Sequence, residues 1–429
     1  MTRHRLATPA TPGILTILAG ITLALAATVA PPAAAQRDAF GVVPGPEVAS
    51  ITEEPVVRVR VGRYLRSVEF AGPAPITLRS ATNPSIQPVR IATPAIVTHG
   101  PDGFVFRDAN GRSGTWKLAS ARVEPTPAGP VTIGDKSLPG FVVLHPNAAG
   151  DNRLDVVNHA GLEAYLPGVL TRELFPKWPL ETYRAQAIAA RSYALWECYR
   201  HASRHYDLES TTASQAYSGL TDNPTALAGA EQTRGVVLVY EGRVVPAFYS
   251  STIGRHAQDM SVIFADRTPV IRPLQGGPRG DWDQVSKHYK WGPIEYDIAR
   301  VTQSVQRWAE RNDHPAAQMD TLARFRSIMR RDWPIAVGYE LIDRNGSAFR
   351  FTPIEFRHAM FGAGDPTLKS SDIRATVRGR QLVVMEGYGY GHGVGMSQYG
   401  AWAMAEAGHS HPSILMTYYP GAELIRAYH

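Results

Sequence analysis

The chain has 429 residues, of which 44% are hydrophobic and 19% charged, and it carries a formal charge of +6 and a single cysteine. One cysteine excludes an intramolecular disulfide, so core packing must supply the stability. The mild positive balance suits an anionic polymer such as cell wall, while the absence of basic runs with interleaved aromatics argues against a nucleic-acid partner.

The first 35 residues hold Arg3 and Arg5, no acidic residue, an apolar run over 14–30 and Ala33-Ala34-Ala35 ahead of Gln36. That pattern is read as a secretory signal peptide (1–35) with a small-residue cleavage site, its apolar run being short for a membrane span. The arginines are not adjacent and no cysteine follows the apolar run, so neither twin-arginine export nor a lipoprotein anchor is suggested. The mature chain is expected to begin near Gln36 and to be secreted or held in the periplasm or cell envelope, with an uncleaved anchor as the alternative. Removal of the signal leaves 42 basic against 38 acidic residues, a charge of +4.

Residues 36–54 are rich in Pro and Gly without periodicity and read as a flexible leader. Residues 57–61 alternate Val and Arg, and further β-prone runs at 141–144 and 154–157 make 55–150 a β-rich N-terminal region. Over 180–199 the period changes: Ile188, Ser192, Leu195 and Tyr199 share a helical stripe, and five alanines make the predicted helix slim. Pro179 stands where a helix start tolerates proline. A hairpin is predicted from 235–240 and 244–250, turning at Glu241-Gly242. Helices are predicted at 297–312, 321–331 and 404–419. Strands and helices alternate without a βαβ rhythm, which gives an α+β class.

Two stretches concentrate chemistry. The first, over 165–194, places Glu173 among Leu174, Phe175, Trp178 and Leu180, where apolar neighbours can disfavour the charged carboxylate and raise its pKa toward the range of a general acid; an exposed carboxylate just ahead of a helix is the other reading, and composition alone favours it. The second is Gly391-His392-Gly393-Val394-Gly395-Met396-Ser397-Gln398-Tyr399-Gly400, whose glycines describe a backbone that must pass close to something, the other reading being a tight structural turn whose His392 satisfies backbone groups. Together they resemble the SpoIID/LytB family, named for a sporulation protein and an amidase enhancer that act on bacterial peptidoglycan. The resemblance covers roughly 152–428, making 151–429 a SpoIID-like catalytic domain with a cleft between the two motifs.

The resemblance implies a lytic transglycosylase that cuts between N-acetylmuramic acid and N-acetylglucosamine and leaves a 1,6-anhydro ring, with Glu173 as the catalytic acid and then base. The different-class alternative is a noncatalytic wall-binding enhancer of an amidase; a third reading is an envelope protein that binds another polysaccharide. His392 is the expected partner of Glu173, orienting its carboxyl group or the substrate. Ser397 and Gln398 offer polar contacts, and Gly393 lets backbone amides approach a sugar. Ser214, Gln215 and Tyr217 resemble a Ser/Thr-Gln-x-Tyr element of the family, and Ser251 and Thr252 a Ser-Thr-x-Gly element; all are candidates to bind the glycan. Arg255-His256 departs from the family after that second element and puts the shape of its loop in question. Gln186 and Arg191 are candidate groove residues on the 180–199 helix, with a buried structural network as the other reading. Glu181, in the first helical turn, reads as a dipole partner, and Lys369-Ser370-Ser371 as support for the cleft.

No cofactor and no metal are expected. Cys198, His201 and His205 lie at helical spacing, but the second cysteine of the zinc site found in some relatives is missing. His409 and His411 read as a surface pair. The expected partners are peptidoglycan glycan strands and, on the enhancer reading, a cell-wall amidase.

Overall fold

The computed structural model describes residues 45–147, 150–264, 271–331, 333–361 and 367–429, so the expected signal and the leader up to residue 44 lie outside the described residues. Helices and strands are interspersed in an α+β fold that is richer in strand than in helix. No helix among the described residues is long and apolar enough to cross a membrane.

The Val/Arg alternation forms strand Val56–Leu65, with Val57 and Val59 fully buried. It lies in a seven-stranded sheet between Leu154–Gly161 and the short parallel strand Leu208–Glu209; Phe141–Pro146 follows on the far side of Leu154–Gly161. The alternate residues are not free either: Arg58 bonds Asp207, and Arg60 bonds both Asp155 and Glu209. A six-stranded antiparallel sheet, including Ser67–Ala71 and Ala95–Gly100, completes the N-terminal β structure. Residues at the end of the stretch read as a leader are hydrogen-bonded to the body, with Val48 N–H donating to Gly242 and Val244 N–H to Pro46.

Strand Leu154–Gly161 runs directly into helix α1, Leu162–Glu173, which buries Tyr165, Leu166, Val169 and Leu170. The chain leaves helical geometry at Leu174, where the approach of Pro176 disfavours a further turn. Helix α2, Leu180–Arg200, follows. Its alanines at 185, 187, 189, 190 and 194 are completely buried, as a helix enclosed on all sides requires. Around it pack α1, α3 (Pro224–Gln232), α7 (Gln398–Glu406) and α8 (His411–Tyr418).

Arg191 of α2 and Glu163 of α1 form the buried tie of this bundle, with Nε to Oε1 at 2.9 Å and a second guanidinium nitrogen to Oε2 at 2.7 Å. Glu163 also accepts from Gly235 N–H at 3.0 Å and Tyr428 O–H at 2.7 Å, while Arg191 donates to the carbonyls of Val236 and Ala230. The pair satisfies its hydrogen-bonding capacity inside the protein, as a buried charge pair must. Burial works to raise the Glu163 pKa, but the hydrogen bonds and charge of Arg191 outweigh it and hold the carboxyl below its ordinary value.

Past the short helix α4 (Met260–Ile263), a second core gathers α5 (Ile298–Arg311), α6 (Pro353–Phe361), a sheet containing Gln381–Tyr388 and the meander Leu322–Met329, Ala336–Asp343, Ala348–Phe351. Asp297 caps α5 by accepting from Ala299 and Arg300 N–H, which places the start where the sequence reading put it.

Three predicted elements are corrected. Residues 321–331, expected helical, form strand Leu322–Met329, because pairing with Ala336–Asp343 and burial of Leu322 and Phe325 override local helix preference. The helix expected over 404–419 is two: Gly408, at φ +88°, ends α7, and Pro412 opens α8. The second hairpin arm is only Arg243–Val244; Tyr249–Ser250 instead pairs in parallel with Met396–Ser397.

Glu163→Gln leaves Arg191 charged and buried, so we expect a loss of about 3–5 kcal/mol of stability. Chemical denaturation measures it, and Glu163→Leu combined with Arg191→Met should recover much of the loss. Because the folded-state pKa of Glu163 is depressed, the wild-type advantage over Glu163→Gln is present above the ordinary carboxylate pKa and shrinks as pH falls through the depressed one. An unchanged midpoint in Glu163→Gln would contradict this account.

Candidate active site

The two parallel residues Tyr249–Ser250 and their partners Met396–Ser397 bring the distant motifs together. Glu173, the last residue of α1, stands beside them. Its Oε1 accepts from Ala216 N–H at 2.9 Å and its Oε2 from the Gln398 side-chain amide at 3.0 Å. Burial raises the Glu173 pKa; the two N–H donors and the charge of Arg172 oppose that shift without cancelling it. Its position at a helix C-terminus, the negative end of the dipole, acts in the same direction as burial. The carboxyl is thus aimed by two donors yet reluctant to ionise.

Beneath it lies a buried layer. Gln215 accepts from the Tyr165 hydroxyl at 3.1 Å and donates to the Tyr249 hydroxyl at 3.0 Å and the Ala190 carbonyl at 3.2 Å. Tyr217, whose ring lies against Tyr165, donates to Asn158. Burial, reinforced by the nearby Glu173 charge, raises the Tyr249 pKa far above its ordinary value. Gln215 and Tyr217 therefore support the site from within, and the element's contact with Glu173 is made by the Ala216 backbone. Ser214 is half-buried and accepts from Glu209 N–H.

His392 sits against the Tyr249–Ser250 strand, bonded to Ser250 and to the Tyr249 backbone. Its Nδ1 accepts from Val394 N–H at 3.0 Å and lies 3.3 Å from Ser250 Oγ, and its ring faces Phe248 and Phe264. With Nδ1 accepting, the proton of the neutral ring is on Nε2. Burial, with the charge of Arg357, lowers its pKa to about 4, so the ring is neutral near pH 7. The expected pairing with Glu173 is corrected: His392 bonds Ser250, Val394 and the Tyr249 backbone, and Glu173 is held by Gln398 and Ala216.

The glycines of the C-terminal motif approach protein. A Cβ on Gly395, at φ +73°, would stand 2.0 Å from the Phe248 carbonyl oxygen, and one on Gly400 would stand 1.9 Å from the Tyr418 hydroxyl. Gly393 N–H donates to Ser250 Oγ, and its carbonyl accepts from Gln258. Ser397 is fully buried and caps α7 by accepting from Gly400 N–H. The Ser251 carbonyl accepts from Tyr399 N–H.

Asp283, which the sequence did not single out, ties these loops together. It accepts from the Thr252 hydroxyl, from Ile253 N–H at 2.6 Å, from Gly254 N–H at 3.0 Å and from the Ser397 side chain. Burial raises its pKa against those donors. Its sequence setting in a short 3-10 turn, Trp282–Val285, carries no local signal.

The remaining candidates are held in structural contacts. Gln186 and Arg191 are completely buried, so their placement in a groove is corrected: Arg191 serves the Glu163 pair, and the Gln186 amide has no hydrogen-bond partner among the described residues. Glu181 accepts from His411 N–H and Nδ1 and from Arg184, joining the starts of α2 and α8. Cys198 donates to Asp207, His201 Nδ1 lies 3.0 Å from the Asp207 carbonyl, and His205 pairs with Asp155. His409 packs on Trp282. Arg255 extends the Ser-Thr loop as a bridge to Asp372, and Ser370 donates to the Tyr388 carbonyl.

Residues 150–240, which include α1, α2 and Glu173, match the family model described as SpoIID, stage II sporulation protein. An uncharacterized protein of Brachyspira hyodysenteriae is 27% identical over 279 residues, 63% of this chain and 68% of that protein. The amidase enhancer of Bacillus subtilis is 30% identical over 291 residues, 60% of this chain but only 40% of the enhancer. Stage II sporulation protein D of Bacillus amyloliquefaciens is 26% identical over 294 residues, covering 63% and 76% of the two chains.

Asp283→Ala leaves two backbone N–H groups and two hydroxyls without their buried acceptor, each such loss costing about 1–3 kcal/mol. We expect a lowered melting temperature and faster hydrogen exchange at Ile253, Gly254 and Gly400. Unchanged exchange at all three would show that Asp283 does not hold the loops.

Proposed function

We propose, for a chain whose residues 150–240 carry the SpoIID family match, a role in the bacterial cell envelope as a peptidoglycan lytic transglycosylase. The observation that carries the reading is Glu173: one carboxyl group with a raised pKa, aimed by Ala216 N–H and Gln398. The names of two relatives, a stage II sporulation protein D and an amidase enhancer, support a wall-related role and an extracytoplasmic location.

The reaction needs one group that gives a proton and takes one back. Protonated Glu173 donates to the glycosidic oxygen as the bond from the muramic C1 breaks, and the N-acetylglucosamine end leaves as an alcohol. Positive charge grows at C1 while the new carboxylate is stabilised by the Ala216 and Gln398 donors. The 6-hydroxyl of the same muramic residue then bonds C1, and Glu173 accepts its proton. The anhydro ring closes, no water is consumed and the acid is regenerated. An intramolecular nucleophile removes the need for a second carboxylate to activate water, which paired-carboxylate glycosidases require. Neutral His392, bonded to Ser250, Val394 and the Tyr249 backbone, is suited to hold the loop; it is not the acid. Ser214 and Ser251 are the half-buried polar groups proposed to meet sugar hydroxyl and acetamido groups, while Gln398, which is buried, holds Glu173.

The second reading, an enhancer of a cell-wall amidase that binds without cutting, is favoured by the name of the Bacillus subtilis relative.

Peptide-stripped glycan strands, incubated with the chain and with Glu173→Gln, separate the two. The native chain should release fragments with 1,6-anhydromuramic ends by mass spectrometry, and the variant should be about 10²–10⁴-fold slower. The rate should fall as pH rises through the raised Glu173 pKa, because the donating form is lost. A folded-state pKa above the unfolded value also means that ionisation costs stability as pH rises through it, so at neutral pH Glu173→Gln should melt no lower than wild type. Full turnover by the variant contradicts the mechanism; intact strands together with stimulation of an amidase favour the enhancer.

A further inference from the structure

Two residues beyond Glu173, the chain places a ring on the surface. Phe175 is 54% exposed, and its centroid lies 5.2 Å from that of Trp178. Trp178 in turn lies 5.8 Å from Trp402 with planes only 13° apart, a parallel-offset pair. Tyr399 fills the angle between them, 5.2 Å from Trp178 and 6.2 Å from both Phe175 and Trp402. Tyr399 directly follows Gln398, the residue that grips Glu173. Both sides of the candidate active site thus feed rings into one ledge.

The ledge does not end at Trp402. That ring is also a wall of an open pocket of about 390 Å³, shared with Asp281, Trp282, Val285, Ala403 and Glu406. Val285 is 52% exposed, and the Trp402 Nε1–H donates to Glu406 at 3.2 Å. A contiguous aromatic surface rimmed by hydrogen-bonding groups marks a binding site rather than ordinary exposed apolar residues.

We propose that this ledge and pocket bind the glycan strand on one side of the scissile bond, with sugar rings stacked on Phe175, Trp178 and Trp402 and a more distant sugar in the Asp281–Glu406 pocket. This rests on the glycan-cleaving reading of Glu173 and extends it by several sugars. A pyranose ring has apolar C–H faces and polar edges, the pattern met by flat rings that end in carboxylate acceptors. The carboxylates of Asp281 and Glu406 accept from sugar hydroxyl or acetamido N–H groups. The same strand must pass Glu173, and the ledge starts there, so continuity selects a polymer that lies across both.

The test uses the full chain carrying Glu173→Gln, to prevent turnover, and peptide-free β-1,4-linked N-acetylglucosamine oligomers of two, four and six sugars in calorimetry. Affinity should rise about tenfold or more from two sugars to six. Adding Trp402→Ala, or Val285→Glu at an exposed pocket wall, should erase that rise, whereas Trp402→Phe should retain most of it. Val285→Glu and Trp402→Phe keep the test sound should Trp402→Ala fail to fold. A length dependence that survives Trp402→Ala and Val285→Glu overturns the ledge and leaves the Glu173 reading standing. Absence of binding at every length in an otherwise native chain overturns that reading and the ledge with it. Substitutions that weaken only binding of an amidase would assign the surface to a protein and overturn the glycan proposal.

Discussion

The buried fork between Glu163 and Arg191 is the constraint from which the rest of the site follows. It joins the first turn of α1 to the middle of α2 and draws in Gly235, Val236 and Tyr428 from the antiparallel pair Val236–Tyr240 and Glu423–Arg426 and its flanks. A buried guanidinium and carboxylate are stable only when their hydrogen-bonding capacity is met, so the geometry of all these elements is fixed together. With the start of α1 fixed against α2, its far end is fixed as well, and that end is Glu173. The alanine-rich surface of α2 serves the same purpose, letting α1, α7 and α8 pack close enough for Gln398 to reach a carboxyl 225 positions earlier in the chain.

At Glu173 two physical effects oppose each other. Burial favours the protonated acid, and the Ala216 and Gln398 donors favour the carboxylate. In the proposed reaction Glu173 donates one proton and then accepts another, and such a balance suits it, since neither form is held too firmly. Asp283 adds precision from a distance: it gathers the Thr252 hydroxyl, two backbone amides and Ser397, thereby setting where α7 begins and where Gln398 points. These carboxyl groups divide the labour between charge pairing, loop alignment and, in the proposed reaction, proton transfer.

Much of this was legible in the sequence, for identifiable reasons. The strand at 57–61 carries a period of two, and the burial of Val57 and Val59 follows it; the alanines of 180–199 announced a slim helix, but its burial runs all round rather than along the expected stripe. The stretch 321–331 misled because long charged side chains favour a helix locally, while pairing with Ala336–Asp343 is a property of distant residues. Glu173 stood out through the resemblance of its neighbourhood, but the residues that aim it did not all do so: the role of Ala216 belongs to its backbone, which no side chain advertises. The place of Arg191 on the 180–199 helix was readable; that it turns to a buried glutamate rather than a groove was not, because spacing gives a face and not its partner. The glycines at 391, 393 and 395 correctly announced close approach, yet the approaching groups are Ser250, Gln258 and Phe248 of the protein itself.

The central claim is that a single carboxyl group cuts a glycan without water as the nucleophile. Cleavage of peptide-stripped strands in H₂¹⁸O, followed by mass spectrometry of the new ends, tests it most directly. The account predicts anhydro ends with no ¹⁸O incorporated. One ¹⁸O atom in each new reducing end would mean that an activated water does the work, and would contradict it.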